Sequence, residues 1–454
     1  DRFGGRNYCQ NDYVGWSAPL SDLSDWTSHG VIYRKTQDPM NRRGRRELWA
    51  PDVVQGADGR YYLFHGMGFL ARTSVAVADR PEGPFEYHGH VRHPDGRAHG
   101  SFRGDTFPFD PGVLIDDDGR VYLYSGIGAG KVLGAKMRLQ GLHIDGLYVM
   151  ELDPGDMLTL RSEPTLVLPK RDSAKLAGAA GPHYEGHEFF EAASPRKIGG
   201  TYFLVYSSRV HHELCYATSD RPEGPFAYRG VLHSNGDVGI GGRTLKEALN
   251  YTANNHGGMV ELNGRWHIFT HRHTNRTQVS RQGGAEPLVP DGAGGFLQAE
   301  TTSCGLNGGP LAGEGRYGSH IACILRSGDG AAPEPFLTVM PRRQKHPFLT
   351  QDGADREGGP DQYIANMRSG AVAGFRYFDL SDTRTVSVEL TGPGKGVMLV
   401  SAELDGPSLA TIEVDATSGT PPTANLPEGL GNRSALYFRY HGAAHLDFRG
   451  FTLG

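Results

Sequence analysis

Four side chains in this 454-residue chain carry polar chemistry at the head of short apolar stretches: Asp52, Asp110, Glu191 and His256. Glu191 sits among Phe189, Phe190 and Ala192, apolar surroundings that favour the protonated form of a carboxyl group. Taken alone, a glutamate in that position reads as a strand cap or half of an ion pair. Two carboxylates facing each other across a cleft do different work. One, protonated, gives its proton to a leaving oxygen while the other activates water or attacks carbon, which is the equipment for cutting a glycosidic bond. The question is whether the chain brings these residues together.

A repeat answers it. "ELWAPDVVQGADGRYYLFHG" from Glu47, "FPFDPGVLIDDDGRVYLYSG" from Phe107, "EFFEAASPRKIGGTYFLVYSS" from Glu188 and "NNHGGMVELNGRWHIFTHR" from Asn254 share one layout. Each has a polar head, a short strand, a turn and an aromatic-rich strand. The turns are Asp58-Gly59, Asp118-Gly119, Gly199-Gly200 and Asn263-Gly264, pairs that close β-hairpins. "VAVADRPEGPFEYHG" from Val75 returns as "CYATSDRPEGPFAYRG" from Cys215, adding a third and fourth strand to the unit. Four-stranded units repeated in this way predict a β-propeller, in which the first strand of every unit lines a central channel. The strand heads then converge on its mouth.

The first unit is shorter. "NDYVGWSAPLSDLSDWTSHGVIY" matches only the outer two strands, so the reading expects the inner strands of a fifth blade in about 20–30 upstream residues outside this sequence. After about residue 305 the pattern changes to period-2 alternation, as in "RTVSVELTG" and "LATIEVDA", which predicts a β-sandwich of jelly-roll type. The expected class is all-β: a five-bladed propeller over 1–305 and a sandwich over 306–454.

Composition agrees and excludes alternatives. Gly is abundant at 65 residues and only 38% of the chain is hydrophobic, which suits many short strands and turns. The net charge of -5 comes without an evident basic stripe or block of like charge, so nucleic acid is not an expected partner. No apolar run reaches the roughly 18 residues of a membrane helix. Four cysteines without a CxxC pair argue for reduced thiols, with Cys304–Cys323 the pair to check; they leave the compartment open and favour the cytoplasm over secretion.

With "LWAPDV", "FDPGVLIDDDGRVYLYSG", "FFEAASPRKIGGTYFLVYSS" and "NNHGGMVELNGRWHIFTHRHT" in view, the sequence resembles glycoside hydrolase family 43. The resemblance implies an exo-acting, inverting enzyme that releases a terminal furanose or pentose, foremost α-L-arabinofuranose. A β-xylosidase or galactofuranosidase is the alternative within the class. It implies Glu191 as general acid and Asp110 as the residue that tunes and orients it. His256 falls in the channel, near a structural calcium or water site in several members, and Arg272 is implied as a partner of substrate or acid. No catalytic cofactor is implied, and the partner is an oligosaccharide or polysaccharide. The family's general base is an aspartate on the innermost strand of the first blade, and no residue of this chain matches it. If the base is truly absent, the alternative is a non-catalytic carbohydrate-binding protein. The C-terminal domain, through "TQDGADREGGPDQYIANMRSGAVAGFRYFD", resembles the family 6 carbohydrate-binding modules.

Other residues weigh less. Asp52 is expected to line the pocket, and Trp49 and Phe109 to stack on a sugar face or pack the wall. Asp116–Asp118 read as a hairpin turn rather than a calcium loop. The histidines of "VHHEL", with His271 and His273, read as contact or packing residues, because zinc needs several converging ligands. The Gly-rich "GPLAGEGRYG" follows no strand-to-helix pattern and predicts no phosphate site.

Overall fold

A computed structural model describes residues 1–130, 134, 140–210, 213–331, 345–353 and 361–454. They form two compact units. The first comprises Asp1–Leu232, Asn254–Thr270 and Leu288–Gln298; the second comprises His233–Ala253, His271–Pro287 and Ala299–Gly454. The sequence reading placed one boundary after residue 305, whereas the units are interleaved along the chain.

Strands β1 (Tyr13–Ser17) and β2 (Thr27–Tyr33) pair as a two-stranded sheet. Three four-stranded meanders follow, each in simple chain order. They are β3 (Leu48–Gln55), β4 (Tyr61–Met67), β5 (Leu70–Ala78) and β6 (Glu86–His90); β7 (Gly112–Ile115), β8 (Val121–Gly126), β9 (Gly146–Leu152) and β10 (Thr165–Pro169); and β11 (Phe189–Ile198), β12 (Thr201–Ser208), β13 (Leu214–Ser219) and β14 (Ala227–His233). A last meander has β15 (Met259–Leu262), β16 (Arg265–Thr274) and β17 (Thr277–Pro287) in that order. These are the sheets of a five-bladed β-propeller, with two described strands in the first and three in the last.

The turns fall where the dipeptides put them. Ile198 pairs Thr201 across Gly199-Gly200, and Leu262 pairs Arg265 across Asn263-Gly264. Asn263 and Gly264 both take positive φ, 52° and 75°, as a type I′ hairpin turn requires. Asp118 closes its own turn through Arg120, while Asp116 reaches Lys197 and Tyr202 on the next sheet, so the aspartate run is a hairpin and an inter-sheet tie.

The core of the first unit lies in layers between successive sheets. Phe64 and Val75 pack with Val113, Leu123 and Met150; Tyr122, Tyr124 and Leu147 pack with Leu204 and Tyr206. Each such side chain, fully buried, contributes roughly 1.5–3 kcal/mol. The alternating pattern read in the sequence is therefore a stack of apolar faces.

In the second unit, two six-stranded sheets share one core. Phe375 and Phe438 from one sheet meet Phe451 from the other, with ring centroids 4.8 and 5.1 Å apart. The expected sandwich is present. Part of the stretch that carried the likeness to family 6 modules, 354–360, lies outside the described residues. All four cysteines are free thiols, Cys304 and Cys323 included.

Candidate active site

The innermost strands begin with a shared irregularity. Ala50, Asp110 and Ala192 take left-handed backbone angles, with φ of 44°, 45° and 68°. Non-glycine residues rarely do so, and such strain gathers at functional sites. In β3 and β11 the pairing register slips at the same place, between Trp49 and Asp52 and around Glu191. A bulge of this kind re-aims a side chain at the end of a strand. Trp49, Phe109 and Glu191 are the residues just before the three kinks.

Contacts between neighbouring inner strands then draw the heads together. Asp110, only 6% exposed, accepts a hydrogen bond at Oδ2 from the backbone N–H of Ala192 at 3.1 Å. The residue after Glu191 is thereby held on the carboxylate of Asp110. His256 Nδ1 stands 3.9 Å from the same Oδ2. Close approach is possible because Gly112 and Gly258 have no side chain. A Cβ on Gly112 would stand 2.5 Å from the carbonyl oxygen of Ala193, and one on Gly258 2.5 Å from Ser194 Oγ. Asp110, Glu191 and His256 are thus gathered at one end of three adjacent strands.

Asp52 is placed differently. It lies two residues beyond Ala50, so it is not the positional counterpart of Asp110. Its Oδ2 accepts from Val113 N at 2.8 Å and its Oδ1 from Val53 N at 3.1 Å. Both oxygens hold backbone, pinning β3 to β7. Burial pushes its carboxyl above the ordinary aspartate range, opposed by the charge of Arg196 and by these two hydrogen bonds. Arg196 itself donates through Nε to Met259 O at 3.0 Å, the same service between β11 and β15.

The aromatic wall is continuous. Trp49 packs edge-on against Phe109 at 5.6 Å and against Phe69 at 4.9 Å. Trp49 Nε1 is buried without a hydrogen-bond partner among the described residues. The sequence reading passed over Tyr13, whose hydroxyl donates to Trp49 O at 3.1 Å. Burial raises its pKa well above that of a free tyrosine, and the nearby charges of Cys9, Tyr33 and Asp110 add to the effect. Its only sequence signal was membership of an aromatic strand.

Arg272 belongs to the second unit. It is half-buried there, with Nη1 3.5 Å from Ala322 O and Nε without a partner among the described residues, and loss of water around the guanidinium lowers its pKa to about 10. His273 packs edge-on against Tyr251 at 5.1 Å, and His271 Nδ1 lies 3.4 Å from Arg281 Nη1. His211 and His212 lie outside the described residues.

Calcium takes six to eight oxygen ligands. His256 offers nitrogen, and among the described residues no set of three His, Cys, Asp or Glu side chains gathers around it. One such set does occur elsewhere, at His187, Glu213 and Cys215, and internal bonds already knit it. His187 Nδ1 is 2.5 Å from Glu213 Oε1, a contact that raises the histidine's pKa, and Ser208 Oγ donates to the same oxygen at 3.0 Å. Burial pushes the Cys215 thiol up, away from the thiolate a metal would need.

Four-stranded meanders with Asp110 and the residue after Glu191 tied together at neighbouring strand heads agree with a glycoside hydrolase. The chain belongs to the glycosyl hydrolases family 43, whose family model matches residues 16–289. It is a glycosidase acting on O-glycosyl bonds. It is 44% identical over 455 residues to a xylosidase/arabinosidase of Thermoclostridium stercorarium, spanning 100% of this chain and 92% of that protein. It is 33% identical to a beta-xylosidase of Xylanibacter ruminicola over 50% of this chain and 65% of the relative. A xylosidase/arabinosidase 43A of Humicola insolens is 32% identical over 59% of this chain and 78% of its own length.

Proposed function

We propose that the protein is an exo-acting, inverting glycosidase that removes a terminal α-L-arabinofuranose, with Glu191 as general acid and Asp110 as its positioning carboxylate. The observation that carries this reading is the hydrogen bond from Ala192 N to Asp110 Oδ2, which ties two carboxyl-bearing strand heads to each other. The names of the relatives, which pair xylosidase with arabinosidase, support the choice of a pentose.

In the proposed step, protonated Glu191 gives its proton to the glycosidic oxygen as that oxygen leaves the anomeric carbon. A water attacks the same carbon from the opposite face and loses its proton to a general base. The base is assigned to no residue of this chain. Asp110 keeps a negative charge beside the acid and fixes the backbone that carries it. Trp49 and Phe109 supply an apolar wall on which a sugar face stacks. Asp52 and His256 complete the polar surroundings, Asp52 by holding β3 against β7.

The test is a panel of aryl glycosides read by release of the phenol, with the anomer formed first followed by NMR. The proposal expects hydrolysis of the α-L-arabinofuranoside with inversion. A faster β-D-xylopyranoside would change the sugar and keep the mechanism; a retained anomer would overturn it.

A further inference from the structure

The sequence reading found no block of like charge, yet Arg42-Arg43-Gly44-Arg45-Arg46 is one. These arginines line an open groove of about 610 Å³ beside β3, together with Met40 and Phe69. The loop that presents them is built rather than loose. Asp38, fully buried, accepts from Met40 N at 2.8 Å while also binding Ser74 Oγ and His90 Nε2. Asn41, buried as well, clamps the backbone of Arg46 with two hydrogen bonds of 3.0 Å. Arg46 Nη1 donates to Gly68 O at 2.6 Å and anchors the groove floor. Arg42, Arg43 and Arg45 are exposed and have no ion pair or side-chain hydrogen bond among the described residues. The groove has one carboxylate, Glu47, which already accepts from Asn7 Nδ2 at 3.1 Å.

Three uncommitted guanidinium groups on a fixed loop are equipment for binding an anion, since their planar forks match a carboxylate two bonds at a time. The rest of the lining suits a sugar. Phe69 is 64% exposed and Met40 49%, two large apolar side chains facing water beside the charges. The groove also adjoins the candidate active site. Phe69 packs on Trp49, Trp49 on Phe109, and Phe109 directly precedes Asp110.

We propose that this groove is a subsite for a carboxylated sugar, taking a uronic acid unit of the polymer from which the terminal sugar is removed. This rests on the glycosidase reading above and adds substrate selection to it. The carboxylate lies between Arg42, Arg43 and Arg45, and the sugar ring lies over Phe69 and Met40.

The experiment compares matched arabinosylated xylo-oligosaccharides, with and without one glucuronosyl unit, on the full chain and on the Arg42→Gln/Arg43→Gln/Arg45→Gln variant. Exposed ion pairs are individually weak, so three together set the expected preference in kcat/KM at about tenfold for the uronylated substrate at low salt. The preference should fall toward one in the variant and at 1 M salt, where charges are screened beyond about 3 Å. Activity of the variant on a neutral aryl glycoside should stay unchanged, which separates this claim from the glycosidase reading. Should aryl glycosides prove inert, calorimetric binding of the two oligosaccharides gives the same comparison. No preference in the wild-type chain, or one that survives in the variant, overturns the proposal. So does competition by inorganic phosphate as strong as by glucuronate, which would make the loop a general anion site.

Discussion

The Oδ2 atom of Asp110 holds the backbone N–H of Ala192 at 3.1 Å, so the carboxylate heading one inner strand grips the residue that follows Glu191 on the next. One short contact thus combines a mechanical role with an electrostatic one. The two can be separated because they depend on different properties of the aspartate.

Asp110→Asn keeps an oxygen able to accept from Ala192 N but removes the charge. Two nearby carboxylates resist joint ionisation. The substitution should therefore lower kcat and move the alkaline limb of the pH–rate profile to lower pH, with little loss of thermal stability. Asp110→Ala should lose both functions and unfold at lower temperature as well. An unmoved limb with near-normal turnover in the Asn variant would remove Asp110 from the site.

The close approach of β7 and β11 gives a second prediction. A methyl group on Gly112 would stand 2.5 Å from the backbone oxygen of Ala193 and 2.6 Å from Pro195 Cδ. The strand carrying Glu191 has to move to admit it. Gly112→Ala should destabilise by about 1–3 kcal/mol, as overpacking does, and reduce kcat through the displaced acid. Gly200→Ala, in the hairpin at the far end of β11, meets no atom within 4 Å and should change stability by no more than about 0.5 kcal/mol. Thermal unfolding of the two variants checks the contrast.

Glu286 supplies a pH prediction in the second unit. Burial raises its carboxyl to about 8, with Asp237 pushing the same way and Arg376 and the bonds from Thr302 opposing. An acid whose folded pKa lies above its unfolded value binds more protons when folded. It therefore costs stability as pH rises from about 4.5 toward 8, at no more than about 1.4 kcal/mol per pH unit. Glu286→Gln cannot ionise, and its amide can still face Thr302. The difference in unfolding temperature between variant and wild type should widen in the variant's favour across that window. A constant difference would show that Glu286 ionises normally in the folded chain.

Much of this was legible in the sequence, for physical reasons. Hairpins announced themselves because Asn263-Gly264 and Gly199-Gly200 are dipeptides that tolerate positive φ. The inner strands did so because apolar faces stacked between sheets require residues such as Val113 and Leu204. The kinks at Ala50 and Ala192 left no such mark, since alanine does not signal a left-handed backbone, and Asp110, of a type that adopts it more readily, drew notice only as a carboxylate. Asp52 therefore looked like a counterpart of Asp110, although the bulge sets it two residues further on and commits both its oxygens to backbone. Arg272 was read from its neighbours in sequence, while its surroundings include residues such as Ala322, fifty positions away. The arginine run was visible and passed over, because net charge averages away a local cluster.

The central claim is that Glu191 is the general acid, and leaving-group dependence tests it most directly. On natural glycosides, where an alcohol must leave, Glu191→Gln should lose about the 10²–10⁴-fold that acid–base help is worth. On aryl glycosides with acidic phenols, which depart unaided, the same folded variant should lose far less. Equal losses on both substrates, or a variant as active as the wild type, would contradict the assignment.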